Sequence, residues 1–260
     1  MARIAKPDED PVRAAVLDMD GVVTDTAEAH FAAWKETFDA VLREHAAGAA
    51  ARPFSRADYR AHVDGVPRLD GIRRFLAARG LALPEGVPGD EGLDTVQGIG
   101  AAKNRRFRRW LEEEPVPAYA DTVALVRALK RRGIAVGVFS ASRNAARVLD
   151  SAGLRDLFDA RVDGVDARER GLPGKPDPAM LVECARRLGA DPSRTVVFED
   201  AVSGVAAGVA GGFRLVVGVD REGEETGHAD ALRAAGAGLV LRDVSRFLDR
   251  FADGAEEPGR

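Results

Sequence analysis

Four groups of residues in this 260-residue chain have types and spacings that could carry chemistry. Asp18-Met19-Asp20-Gly21 closes the apolar run Ala14–Leu17. On an extended chain residues i and i+2 point the same way, so both carboxylates can face one site. Such a pair suits a Mg²⁺ ion, or a division of labour between a nucleophile and an acid/base. It equally suits a plain turn, since Asp and Gly are turn residues. Ser140, Ser142 and Asn144, with Arg143 among them, follow the run Ile134–Phe139. Hydroxyls, an amide and free backbone N–H groups at a helix start make a phosphate-binding corner, and they also make an ordinary helix cap. Lys175 stands in Gly174-Lys175-Pro176-Asp177-Pro178, and it is one of only five lysines in a chain with 38 basic residues. The prolines explain a helix start, whereas a compact ammonium there suits contact with phosphate and carboxylate together. Glu199-Asp200 end the run Thr195–Phe198, as a cap for the next helix or as further hard-oxygen ligands for Mg²⁺.

These groups need elements that bring them to one place. The short apolar runs read as buried strands, and helical spacings lie between them. Asp121 is read as capping a helix that runs to Gly133, Arg143–Ala152 as a second helix, and Asp177-Pro178 as opening a third whose apolar face holds Met180, Leu181, Cys184 and Leu188. Strand and helix in alternation imply a parallel sheet, which binds ligands at the carboxyl ends of its strands. Between the first strand and the rest lies a long stretch with no convincing strand. Ala27, Phe31, Trp34, Phe38 and Val41 recur there at helical spacing, Ser55 with Asp58 resembles a capping box, Asp70 is read as a cap, and Leu93–Glu114 as a helix. The expected architecture is therefore an α/β, doubly wound parallel-sheet (Rossmann-like) core built from 1–29 and 118–260, interrupted by a helical insertion over 30–117.

Composition bounds the alternatives. With 45% hydrophobic and 31% charged residues the chain falls among globular proteins. A net charge of −4 argues against nucleic acid or an anionic membrane surface as partner. The cluster Lys103, Arg105, Arg106, Arg108 and Arg109 is followed at once by Glu112–Glu114, and reads as a solvated helix face with local ion pairs. Apolar runs fall far short of the roughly 18 residues a spanning helix requires. The start of the chain has no apolar stretch of the secretory kind, so a cytoplasmic location is expected. The single cysteine, Cys184, reads as a small core residue.

Taken in order, Asp18 to Thr26, Ser140, Lys175 and Glu199-Asp200 resemble the four motifs of the haloacid dehalogenase (HAD) superfamily, and the helical insertion resembles its type-1 cap. Within it, Thr24–Trp34 and Phe139–Asn144 are similar to the β-phosphoglucomutase-like subgroup. The resemblance implies a Mg²⁺-dependent phosphotransferase, expected as a monomer, acting on a small phosphorylated sugar. Asp18 would form an aspartyl phosphate and Asp20 would act as general acid/base. Mg²⁺ would be held by Asp18, the Asp20 carbonyl and Asp200, with Glu199 in support. Ser140 and Lys175 would bind the transferring phosphoryl group, and Thr26 and His30 would position Asp20. Arg68, in Asp64-Gly65-Val66-Pro67-Arg68, would grip the other phosphate together with Ser142, Arg143 and Asn144. Gly65 and Trp34 belong to the same substrate-binding pattern, although Trp34 at helical spacing with apolar neighbours also reads as cap core. Two positions depart, Asp64 in place of a lysine and Gly71 in place of a serine. Loss of a cap cation would weaken the hold on a bisphosphate, so Asp64 and Gly71 favour a phosphatase or a different sugar, whereas Thr26, His30, Arg68 and Asn144 favour a mutase. The leading expectation is a mutase taking β-glucose 1-phosphate to glucose 6-phosphate, with a sugar-phosphate phosphatase as the alternative.

Overall fold

The computed structural model describes residues 12–63, 67–223 and 226–249 and divides the chain into two compact units. The first comprises Met1–Asp25 and Val116–Arg260, the second Thr26–Pro115.

The first unit is a six-stranded sheet: β1 (Ala14–Asp18), β2 (Ala135–Phe139), β3 (Ala160–Val162), β4 (Thr195–Glu199), β5 (Leu215–Val219) and β6 (Leu239–Leu241). Its order is β3-β2-β1-β4-β5-β6 and every pairing is parallel. Strands β1 and β4 are buried along their whole length, as expected of central strands covered on both faces, which is why they read as unbroken apolar runs. The edge strands β3 and β6 are three residues long and only partly buried. Helices α5 (Ala120–Arg131), α6 (Ala145–Ser151), α7 (Gly164–Arg170), α8 (Ala179–Arg187), α9 (Val202–Ala210) and α10 (His228–Ala234) connect the strands. Met180, Leu181 and Cys184 of α8 pack with Val16, Phe139 and Val197 of the sheet. Burial pushes the Cys184 thiol up to about 12, so it behaves as a small apolar core group.

Register decides what meets at the top of the sheet. Asp18 pairs with Phe139 on one side, and Leu17 with Phe198 on the other. The ends of β1, β2 and β4 therefore lie level, so Asp18, Ser140 and Glu199 emerge together. Sheet order reverses direction between β1 and β4, which is where such folds place their ligands.

The second unit holds α1 (Ala27–His45), α2 (Arg56–His62), α3 (Arg68–Ala78) and α4 (Val96–Glu113). Its core is aromatic: the Phe38 ring lies 4.0 Å from Phe75 and 4.9 Å from Trp34. Phe38 has no exposed surface, and cutting it to alanine should cost about 3–5 kcal/mol. Ser55 and Asp58 form both halves of a capping box at α2. Asp58 also accepts from Arg79, a pair in which both side chains are 4% exposed.

Two expected caps do other work. Helix α3 begins at Arg68, so Asp70 lies within its first turn and pairs with Arg73. Helix α5 begins at Ala120, and Asp121 accepts from Arg221 and from the Val244 N–H. Asp70 thus takes a cation one turn along its own helix, whereas Asp121 takes partners 100 and 123 residues away. Among the described residues no helix is long and apolar enough to cross a membrane.

Candidate active site

Asp18 ends β1 with 4% of its surface exposed, and its Oδ1 accepts from Lys175 Nζ at 2.7 Å. Lys175 also pairs with Glu199 Oε1 and lies 4.7 Å from the centre of the Phe139 ring. Asp20 is held differently. It sits in the turn after β1, bridged to Thr24, and its Oδ2 accepts from Ser140 Oγ at 3.2 Å. Ser140 Oγ in turn accepts the Ser142 N–H, and Ser142 Oγ accepts the Asn144 N–H, so the chain after β2 curls over its own hydroxyls. Asn144 stands at the N-cap position of α6 without a side-chain cap bond and is buried, whereas Arg143 beside it is exposed.

One oxygen each from Asp18, Glu199 and Asp200 lies within 4.8 Å of the other two. The Asp20 carboxylate stands outside that triad, on Ser140. Two glycines make the crowding possible. A Cβ on Gly21, whose φ is +81°, would fall 1.8 Å from Asp200 Oδ2, and one on Gly204 would fall 1.8 Å from Glu199 Oε1.

Electrostatics separate these carboxylates from ordinary ones. Burial, then the charges of Glu199 and Asp20, raise the Asp18 pKa well above the usual range against the pull of Lys175. Burial and the charges of Glu199 and Asp18 do the same to Asp200. Burial works against the Lys175 ammonium, but Asp18 and Glu199 outweigh it and hold the lysine above its ordinary value. Carboxylates packed this closely around one ammonium are a hard-oxygen set that a divalent cation would relieve, so the residues fit a metal of the Mg²⁺, Mn²⁺ or Ca²⁺ type.

The second unit carries cations instead. Lys103, 4% exposed, points its Nζ at His30 Nδ1, 2.9 Å away, and at the rings of Phe107 and Trp34 at 4.5 and 5.2 Å. An ammonium can only donate, so Nδ1 accepts and the imidazole is neutral. Burial, then Lys103 and Arg68, hold the His30 pKa well below its ordinary value. Arg68 opens α3 with Nη1 3.5 Å from the Gly100 carbonyl. Thr26 is buried at the N-cap of α1, and Trp34 lies in the aromatic core. Gly65 and Asp64 lie outside the described residues. Gly71 has a packing reason: a Cβ there would fall 2.8 Å from Val63 Cγ1.

A sequence model described as haloacid dehalogenase-like hydrolase matches residues 12–212. The chain belongs to the haloacid dehalogenase-like hydrolases. A β-phosphoglucomutase of Mycobacterium tuberculosis is 42% identical over 241 residues, covering 91% of this chain and 92% of that one. A trehalose-phosphate phosphatase of Mycobacterium leprae is 40% identical over 133 residues, 51% of this chain and 29% of its own. In fold, the crystal structure of a Clostridium difficile β-phosphoglucomutase superposes with a TM-score of 0.72 at 22% identity, covering 94% and 96% of the two chains. This haloacid dehalogenase-like hydrolase is thus an enzyme that acts on phosphate.

One residue in each unit escapes sequence reasoning. Lys103 is not on a solvated face: it is the buried member of its basic run, while Arg106 and Arg109 pair with Glu36 rather than with the glutamates that follow them. Its signal was available, since Lys103 is another of the five lysines. His228, whose Nε2 lies 2.8 Å from the Asp200 carbonyl, left no signal, because neither α10 nor the loop before it was legible.

Proposed function

We propose that this enzyme transfers a phosphoryl group on a small sugar phosphate through an aspartyl phosphate at Asp18, in the manner of a β-phosphoglucomutase that converts β-glucose 1-phosphate to glucose 6-phosphate. The observation that carries this reading is the different treatment of the two strand-end acids. Asp18 is buried and held by Lys175, while Asp20 is half-buried and turned onto the Ser140 hydroxyl. Two carboxyl groups in unlike environments suit a nucleophile and an acid/base.

In the first step an Asp18 oxygen attacks phosphorus, the bond from phosphorus to the sugar oxygen breaks, and Asp20 protonates that oxygen. In the second step an acceptor hydroxyl gives its proton to Asp20 and attacks the phosphorus, which restores Asp18. Lys175 and Ser140 offset charge on the transferring oxygens. Asp18, Asp200 and the Asp20 carbonyl would hold Mg²⁺, with Glu199 behind them. When bound, that ion supplies charge neutralisation on the phosphoryl oxygens. The 42%-identical β-phosphoglucomutase, matched over nearly its whole length, supports the choice of a mutase and of this sugar. Arg68 and Lys103 of the second unit are the cation types that recognise a phosphate dianion.

Phosphorus NMR of the purified protein with Mg²⁺, β-glucose 1-phosphate and a trace of glucose 1,6-bisphosphate tests the proposal. Glucose 6-phosphate is the expected product. Release of inorganic phosphate instead would make the enzyme a phosphatase with the same first step, and would point to Asp64. Full turnover by Asp18→Asn would overturn the mechanism altogether.

A further inference from the structure

The peptide that joins Asp200 to Ala201 is held at both of its polar atoms. Its N–H, on Ala201, donates to Glu199 Oε2 at 2.6 Å. Its carbonyl, on Asp200, lies 2.8 Å from His228 Nε2. A carbonyl only accepts, so His228 Nε2 carries the proton and donates. The two holds come from different places: Glu199 from the end of β4, His228 from the first residue of α10, 28 residues further along. On its side-chain side Asp200 is crowded by the Gly21 turn, where even a Cβ has no room. A planar peptide moves only through the soft dihedrals on either side of it, and bonds to both its oxygen and its nitrogen fix them.

The geometry points to His228 as a positioning residue for the cation site: by donating to the Asp200 carbonyl it fixes the direction in which the Asp200 carboxylate faces Asp18 and Glu199. This rests on the reading of Asp18 and Asp200 as metal ligands. Partners that orient ligands from behind are typically worth about 10–100-fold in metal affinity. The rival account is that the bond only anchors the start of α10, whose Leu232 is already buried in the core of this unit.

Direct binding of Mn²⁺ to the full chain, followed by electron paramagnetic resonance without substrate, separates the two. Melting temperatures of the metal-free variants are measured alongside. Wild type should bind one Mn²⁺ and Asp200→Asn should not. If wild type fails to bind, or Asp200→Asn binds as well as wild type, the metal reading falls and takes this proposal with it. Given that baseline, His228→Ala should weaken Mn²⁺ at least about tenfold. His228→Gln, whose amide N–H can replace Nε2–H, should recover most of the loss, whereas His228→Asn, whose amide reaches only the Nδ1 position, should not. The Gln and Asn pair decides the matter even if the alanine variant does not fold. Unchanged Mn²⁺ affinity in His228→Ala or His228→Asn with only a lower melting temperature would overturn the role, as would a His228→Gln variant as weak as His228→Asn.

Discussion

The two units concentrate charge of opposite sign and do so by different means. In the first, acids gather at the carboxyl ends of β1 and β4 around one lysine. In the second, Lys103 meets a neutral histidine over aromatic rings, and Arg68 acts on the same histidine. The acidic site is assembled by strand register, which fixes positions to within a peptide spacing. The basic cluster is assembled by helix packing, with Lys103 reaching His30 across 73 residues of sequence. Backbone turns and glycines without room for a Cβ hold the first, whereas stacking of His30 on Phe107 at 4.3 Å holds the second. A site at strand ends can thus be tightly packed with like charges because the sheet resists their repulsion.

The largest effect is expected where the proposed nucleophile is removed. Asp18→Asn should lower turnover by about 10⁴-fold or more, read as product formed per enzyme, while leaving the aromatic core of the second unit intact. Lys175→Met removes the one cation among the described acids' close partners, and should lower kcat by about 10²–10³-fold with a smaller change in KM. A change confined to KM would mean that the lysine serves ground-state binding alone.

Gly21→Ala tests whether the backbone holds the acidic site. A Cβ at a φ of +81° costs about 1–2 kcal/mol, and the collision with Asp200 adds to it. Denaturant unfolding should show the loss, and added Mg²⁺ should restore less stability to the variant than to wild type.

The mildest change probes the basic cluster. Lys103→Met should raise the His30 pKa toward its ordinary value, seen by NMR among the four histidines. The sign for stability follows from the same shift. His30 is depressed in the folded state, so the unfolded chain takes up the proton first, and stability falls as pH drops from about 6.5 through the folded value. Lys103→Met should shrink that loss. An unchanged His30 titration would show that burial and Arg68 depress it without Lys103.

Much of the sheet could be read in advance because its central strands are buried on both faces and carry continuous apolar runs. Strands β3 and β6, three residues each and mostly not buried, had no such run to betray them. Three of the four motif positions lay at strand ends, where composition and turn chemistry concentrate, and Lys175 lay in the loop between α7 and α8, marked by its flanking Gly and Pro. Gly71 read as a departure from the family pattern, and the structure gives it a steric task against Val63 that no local pattern encodes. Asp121 looked like a cap because capping is a local rule, and a distant arginine overruled it; Asp70 misses the cap because α3 starts two residues before it.

The sequence by itself determined the fold class and the order of the motifs, since these depend on period, turn residues and spacing along the chain, and the family entered through the resemblance those motifs carry. Only the tertiary structure decided which partners those residues take. It sets Asp18 on Lys175 and Asp20 on Ser140, buries Lys103 against His30, and brings His228 to the Asp200 carbonyl. These contacts join residues 28 to 157 positions apart, and their geometry comes from sheet register and helix packing rather than from any local preference.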